Sequence, residues 1–244
     1  MNTRFLLLEL RRAVRNGRYL IFTVVLPTVM MLLFVNLYGG AGEKFPNGLP
    51  VVTSLMMNMA LFGVMSGPLA TGARIAVERG SGWQRQLRLT PLSSTGYVLT
   101  KGALGMLVAL PAILLVSLVG AVVEGVRLEP GQWAAVLLTL WLGAVPFVLI
   151  GIVIGLLASP DGMQAITAAS SMLFGLLGGI WIPADVAPGW LRTVMEVLPT
   201  YWVKQLAQAP VVPVDDVGRA LLVVGAWVLV LGFVAARRFR TGRS

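Results

Sequence analysis

The side chains of this sequence that could recognise something are concentrated in one stretch. Residues 74–93 read Arg-Ile-Ala-Val-Glu-Arg-Gly-Ser-Gly-Trp-Gln-Arg-Gln-Leu-Arg-Leu-Thr-Pro-Leu-Ser. Ser81 and Gln84 have the spacing of a capping box, so a short helix is expected to start at Gly82. Thr90 precedes a proline and is pushed out of the helical region, so that helix stops there. On its two turns Trp83 and Leu87 share one side, while Arg85 and Arg88 make another side basic. An apolar pair rimmed by arginines suits a groove on a protein partner. The same residues suit a basic loop lying on lipid headgroups. Residue chemistry alone does not choose between the two.

Bond-making chemistry has little to work with. Histidine and cysteine are absent, which excludes disulfides, thiolate chemistry, a Ser-His pair and Cys/His metal sites. The ten acids are scattered. No apolar run carries an ionisable group near its centre, where proton- and sodium-coupled transporters generally place one. No glycine-rich phosphate loop ending in Gly-Lys-Ser/Thr is present, so the chain is expected to hydrolyse no ATP alone. Work on any cargo would have to come from another protein.

The elements that position the loop are membrane spans. The chain is 57% hydrophobic and 12% charged, against about 25% charge in an ordinary soluble domain. Charge-free runs occur at 19–42, 45–73, 102–123, 130–160, 162–184 and 220–236. A helix needs about 20 apolar residues to cross the hydrocarbon core, and the last run is at the short limit. The expectation is one all-α membrane domain over residues 1–244, with spans at about 19–39, 51–72, 98–123, 133–157, 163–183 and 217–236. Residues 74–97 form the loop between spans two and three, and 184–216 an outer segment.

Charge fixes the orientation. With the N-terminus inside, the inner segments hold 14 of the 19 basic residues and three of the ten acids. The positive-inside rule then makes both termini cytoplasmic. The net charge of +9 is therefore a topology signal, and nucleic acid is not expected as a partner.

Residues 1–18 carry an amphipathic interfacial helix, with Arg4, Arg11, Arg15 and Arg18 on one side and Leu6, Leu10, Ala13 and Val14 on the other. Pro27 kinks the first span. Gly143, Gly151 and Gly155 in the fourth span allow close helix approach. The outer segment, apolar but broken by Pro188, Pro199, Pro210 and Pro213, is expected to dip into the membrane without crossing.

Glu-Arg-Gly-Ser-Gly, followed by Gln-Leu-Arg-Leu-Thr-Pro-Leu-Ser, resembles the cytoplasmic signature of type-2 permeases of ATP-binding-cassette transporters. The basic N-terminal helix, the Ile-Trp-Ile-Pro that ends the glycine-rich fifth run, Pro188-Gly-Trp-Leu and Leu198-Pro-Thr-Tyr-Trp extend the resemblance over essentially the whole chain. It departs at Trp83 and Gln84, where relatives carry Thr or Leu followed by Glu.

The resemblance implies six spans, a dimer with a second permease copy or close paralogue, and two copies of a cytoplasmic ATP-binding subunit in a prokaryotic plasma membrane. ATP-Mg belongs to that partner, and this chain binds no cofactor. Glu78, Arg79, Gly80, Trp83, Gln84, Arg85, Leu87 and Arg88 are the expected contacts to it. Small relatives resemble drug- and antibiotic-efflux permeases, while others handle lipid or polysaccharide. An immunity or scaffold role on the same fold is the alternative. Asn58, Phe62, Met65, Gln164 and Met172 are the candidates to line a cargo pathway, against the plainer role of helix packing.

Overall fold

The computed structural model describes residues 3–39, 42–45, 47–82, 94–184, 187–214 and 216–241. Its long elements are helices. They are α1 (Thr3–Val14), α2 (Ile21–Tyr38), α3 (Val51–Gly80), α4 (Ser94–Val122) and α5 (Pro130–Leu157). Then follow α6 (Met163–Leu177), α7 (Gly189–Met195), α8 (Pro199–Gln208) and α9 (Val217–Thr241).

Five helices among the described residues are long and apolar enough to cross a membrane, namely α2, α3, α4, α5 and α9. The fifth expected span, 163–183, contains a helix of only 15 residues. Gly178 ends that helix, and Gly179 follows with φ +79°, a conformation that favours glycine. At 1.5 Å per residue α6 is roughly 22 Å long, short of a hydrocarbon core of about 30 Å. Residues 178–183 carry the chain onward without helix. In contrast, α9 runs on into the arginine-rich tail and is longer than its apolar run.

Two helices also outlast their apolar runs around the recognition loop. The expected loop 74–97 is shorter among the described residues, because α3 continues to Gly80 and α4 begins at Ser94. Charge ends a span but not a helix, and Ala, Arg and Glu are good helix formers outside the bilayer.

The first span opens with a π-helical turn, Ile21–Val25, where the Leu26 N–H donates to the Ile21 carbonyl. Pro27 follows at once. Proline supplies no N–H to the ladder, and the wider turn absorbs the resulting misfit. The irregularity expected at Pro27 is this π-helical turn just before it.

Helix α3 is the axis of the bundle. Its most apolar window is 78% buried, against 6% for α9. Met56, Met57, Met59, Leu61, Met65 and Leu69 are all fully buried. α3 crosses α5 at Gly72, Gly151 and Gly155, where any Cβ would run into the facing backbone. The glycines in α5 thus do what their spacing predicts.

All the strongly basic chain ends meet at one end of this bundle. Ala235 near the end of α9 packs with Ile75, Val148 and Ile152. Leu6 and Leu10 of α1 pack on Leu104 and Val108 of α4. At the opposite end α7 and α8 fold back along the bundle. Val203 of α8 fills the notch at Gly143, and Trp227, well inside α9, donates to the Val197 carbonyl at 2.8 Å. The outer segment is thus packed back against the bundle.

Candidate functional site

The basic end is organised around a buried lysine. Lys101 lies in the second turn of α4 and is fully buried. Its Nζ meets Glu9 Oε2 at 2.7 Å and Glu78 Oε1 at 2.6 Å. The Tyr97 hydroxyl donates to Glu78 at 2.6 Å, and Arg12 reaches Glu9 at 3.2 Å. A buried charge is tolerated only when paired and hydrogen-bonded, and here each charge has partners. Three helices, α1, α3 and α4, are thereby tied at one point.

Local structure explains the placement. Glu78 stands in the last turn of α3, where the helix dipole disfavours an anion, and Lys101 and Tyr97 offset that penalty. Arg79 stands in the same turn, where a cation is favoured. Its guanidinium donates to the Gly155 carbonyl at 3.1 Å and also to the Leu156 carbonyl. Those carbonyls belong to the last turn of α5, which has no helical partners for them. Arg79 therefore joins α5 to the same assembly.

The expected partner-contact segment begins at the edge of this assembly. Ser81 follows α3, its hydroxyl donating back to the Glu78 carbonyl at 3.2 Å. Gly82 takes φ +73°, a conformation that favours glycine. Trp83, Gln84, Arg85, Leu87 and Arg88, with the short helix expected there, lie outside the described residues. Of the expected partner contacts, Glu78 and Arg79 direct their described bonds inward. Gly80 is exposed, and a Cβ there would strike Pro160 in the α5–α6 turn.

The cargo candidates separate in the structure. Phe62 and Gln164 line a cleft of about 840 Å³ between α1, α2, α3 and α6. Met65 is packed in the core and Met172 lies exposed on α6. Asn58 is buried, and its Nδ2 donates to the Ile180 carbonyl at 3.2 Å. That bond fastens the irregular chain after α6 to α3.

Sequence reasoning had counted Lys101 and Glu9 only as charges for orientation. One signal for Glu9 was present. It falls on the Leu6–Leu10–Ala13 side of α1, where an acid has no place unless a cation covers it. Lys101 gave a weaker signal, as the last charge before a long apolar run. Thr167 and Ser171, which line the cleft beside Gln164, had none.

Two comparisons with known proteins bear on the whole chain. The chain is 28% identical over 194 residues to "Putative transport permease YvfS" of Bacillus subtilis (strain 168), covering 79% of this chain and 78% of that one. Residues 5–209 match the family described as ABC-2 type transporter. That match takes in the buried ion-pair assembly, the segment between α3 and α4 and the helices α7 and α8, and the chain belongs to the ABC-2 type transporter family.

Proposed function

We propose that this chain is the membrane-spanning subunit of an ATP-driven exporter, worked from its basic end by a separate ATP-binding subunit. The observation that carries this reading is the anchoring of the recognition loop. Both flanks of residues 81–93 are held by Lys101, Glu9, Glu78 and Arg79, which bind α1, α3, α4 and α5 together. Removing one partner of a buried ion pair costs about 3–5 kcal/mol, so a push on the loop moves four helices instead of bending one.

In this reading Glu78 and Arg79 position the loop from inside. Trp83 and Leu87 enter the partner's groove, flanked by Gln84, Arg85 and Arg88. The glycine crossing of α3 and α5 leaves no space to absorb the motion locally. The basic end faces the cytoplasm by the positive-inside rule. The 15-residue α6 and the chain after it make the fifth of six passes. The working unit pairs this chain with a second permease copy and two ATP-binding subunits. The cargo is a hydrophobic or amphipathic molecule such as a drug, antibiotic or lipid.

Co-purification with the ATP-binding subunit encoded beside this gene tests the reading. Trp83→Ala combined with Leu87→Ala should lower recovery of that subunit by about 30-fold or more, as expected for loss of a hot spot of ~2 kcal/mol. Membrane insertion of the double variant should be unchanged. Undiminished recovery of the subunit would reject the docking assignment.

A further inference from the structure

Helix α1 turns the apolar side read from its sequence toward the protein, not toward lipid. Leu6 and Leu10 pack on Leu104 and Val108, Ala13 is buried, and Glu9 on the same side meets Lys101 at 2.7 Å. The side left outward is mixed. Arg11 and Arg15 are exposed there between Leu7 and Leu8, which are 70% and 58% exposed. Arg15 follows α1 directly, its N–H still donating to the Arg11 carbonyl at 3.1 Å. At about 100° per residue, Leu7, Arg11, Arg15 and Leu8 follow one another around about a quarter of the helix. The guanidinium groups of Arg11 and Arg15 make no ion pair or hydrogen bond among the described residues.

The depth of α1 says what covers this side. Leu104 and Val108 lie in the first two turns of the charge-free run 102–123. Leu20, at the start of the first span, and Ala70, near the end of the run 45–73, join the same cluster. Helix α1 therefore lies against the spans where their apolar runs give way to charge, which is the headgroup level of a bilayer. Leu99 of α4 and Ile21 of α2, close to this cluster in the chain, are large, apolar and exposed as well. At that level a leucine meets the start of the acyl chains and an arginine reaches the phosphates. The one acid of α1, Glu9, is spent on the opposite side, so the outward charge is basic.

We propose that the outward side of α1 is a binding site for anionic phospholipid, with Arg11 and Arg15 on the headgroup phosphate and Leu7 and Leu8 against the acyl chains. The site is separate from the cleft and does not rest on the permease reading. A lipid bound there holds the helix that carries Glu9 to Lys101, and so stabilises the ion-pair assembly by mass action.

The test uses the full chain in discs of phosphatidylcholine. The chain has no cysteine, so Leu8→Cys carries a single fluorophore. The probes are phosphatidylglycerol and phosphatidylcholine bearing the same spin label near the headgroup. At equal content, labelled phosphatidylglycerol should quench about fivefold more than labelled phosphatidylcholine, equivalent to about 1 kcal/mol. Arg11→Gln combined with Arg15→Gln should bring the two lipids to parity, and Arg11→Lys combined with Arg15→Lys should keep the preference. Added phosphatidylglycerol should raise the Tm of the parent and leave that of the double glutamine variant unchanged. Equal quenching in the parent, or an undiminished preference in the glutamine variant, would overturn the proposal. Quenching by neither lipid, with the fluorophore covered by added ATP-binding subunit, would give this side to a protein partner and overturn it too. Soluble glycerol phosphate should not compete, and competition would replace the lipid with a free anion. Every lipid readout is taken without the ATP-binding subunit, so failure of the permease reading leaves this site standing.

Discussion

The two ends of the bundle are fastened by different chemistry. At the basic end charged side chains meet one another, with Lys101 between Glu9 and Glu78. At the opposite end the ion pairs, Arg219 and Arg192 with Glu196, are partly exposed, and single donors reach backbone carbonyls. Asn58 donates to Ile180, Gln132 to Pro210, Trp202 to Glu196, Lys204 to Gly179 and Trp227 to Val197. Those acceptors lie where the helices stop and the chain turns back along the bundle. Non-helical backbone at membrane depth is tolerated only when its polar groups are satisfied by protein or water. The opposite end therefore spends its donors on holding a chain that folds back along the bundle. The basic end spends its charges on joining separate helices, and there Ser81 and Gly82 lead off from α3.

The sharpest way to break this contrast is Lys101→Met. It leaves Glu9 and Glu78 buried without their shared cation, at a cost of about 3–5 kcal/mol. Thermal unfolding in detergent should show a large drop in Tm, and Glu9→Gln, which leaves one pair standing, a smaller one. Next comes Gly151→Leu. It forces α3 and α5 apart at their crossing and should cost about 3 kcal/mol by the same measurement. At the opposite end Asn58→Leu removes one bond to a carbonyl. Side-chain hydrogen bonds within membranes average about 0.6 kcal/mol, so its effect should be the smallest of the three. If Asn58→Leu destabilised more than Lys101→Met, the division of labour between the ends would be reversed.

Much of the architecture was legible because hydropathy and glycine spacing act over many residues. The run at 45–73 is the core of α3, and Gly143, Gly151 and Gly155 mark where α5 meets α8 and α3. The break into the short helices α7 and α8 was legible in Pro188, Pro199 and Pro210, which no uninterrupted span would tolerate. Helix ends were less so. The run 162–184 stays apolar past Leu177, and only the local geometry of Gly178 and Gly179 stops α6. The ion-pair assembly was least visible. Glu9, Glu78 and Lys101 come from three distant places in the chain, and each looks like an ordinary charge beside a span until folding brings them together. In the cleft, Phe62 and Gln164 were legible as types that suit a pathway, whereas Met65 has the same chemistry as a core methionine and proves to be one.

The measurement closest to the central claim is movement of a lipophilic probe across liposomes containing the purified chain. It would be run with and without the neighbouring ATP-binding subunit and with and without ATP-Mg. The account predicts directed movement only when chain, subunit and ATP-Mg are all present. The same turnover from the chain alone, or in the absence of ATP, would contradict it.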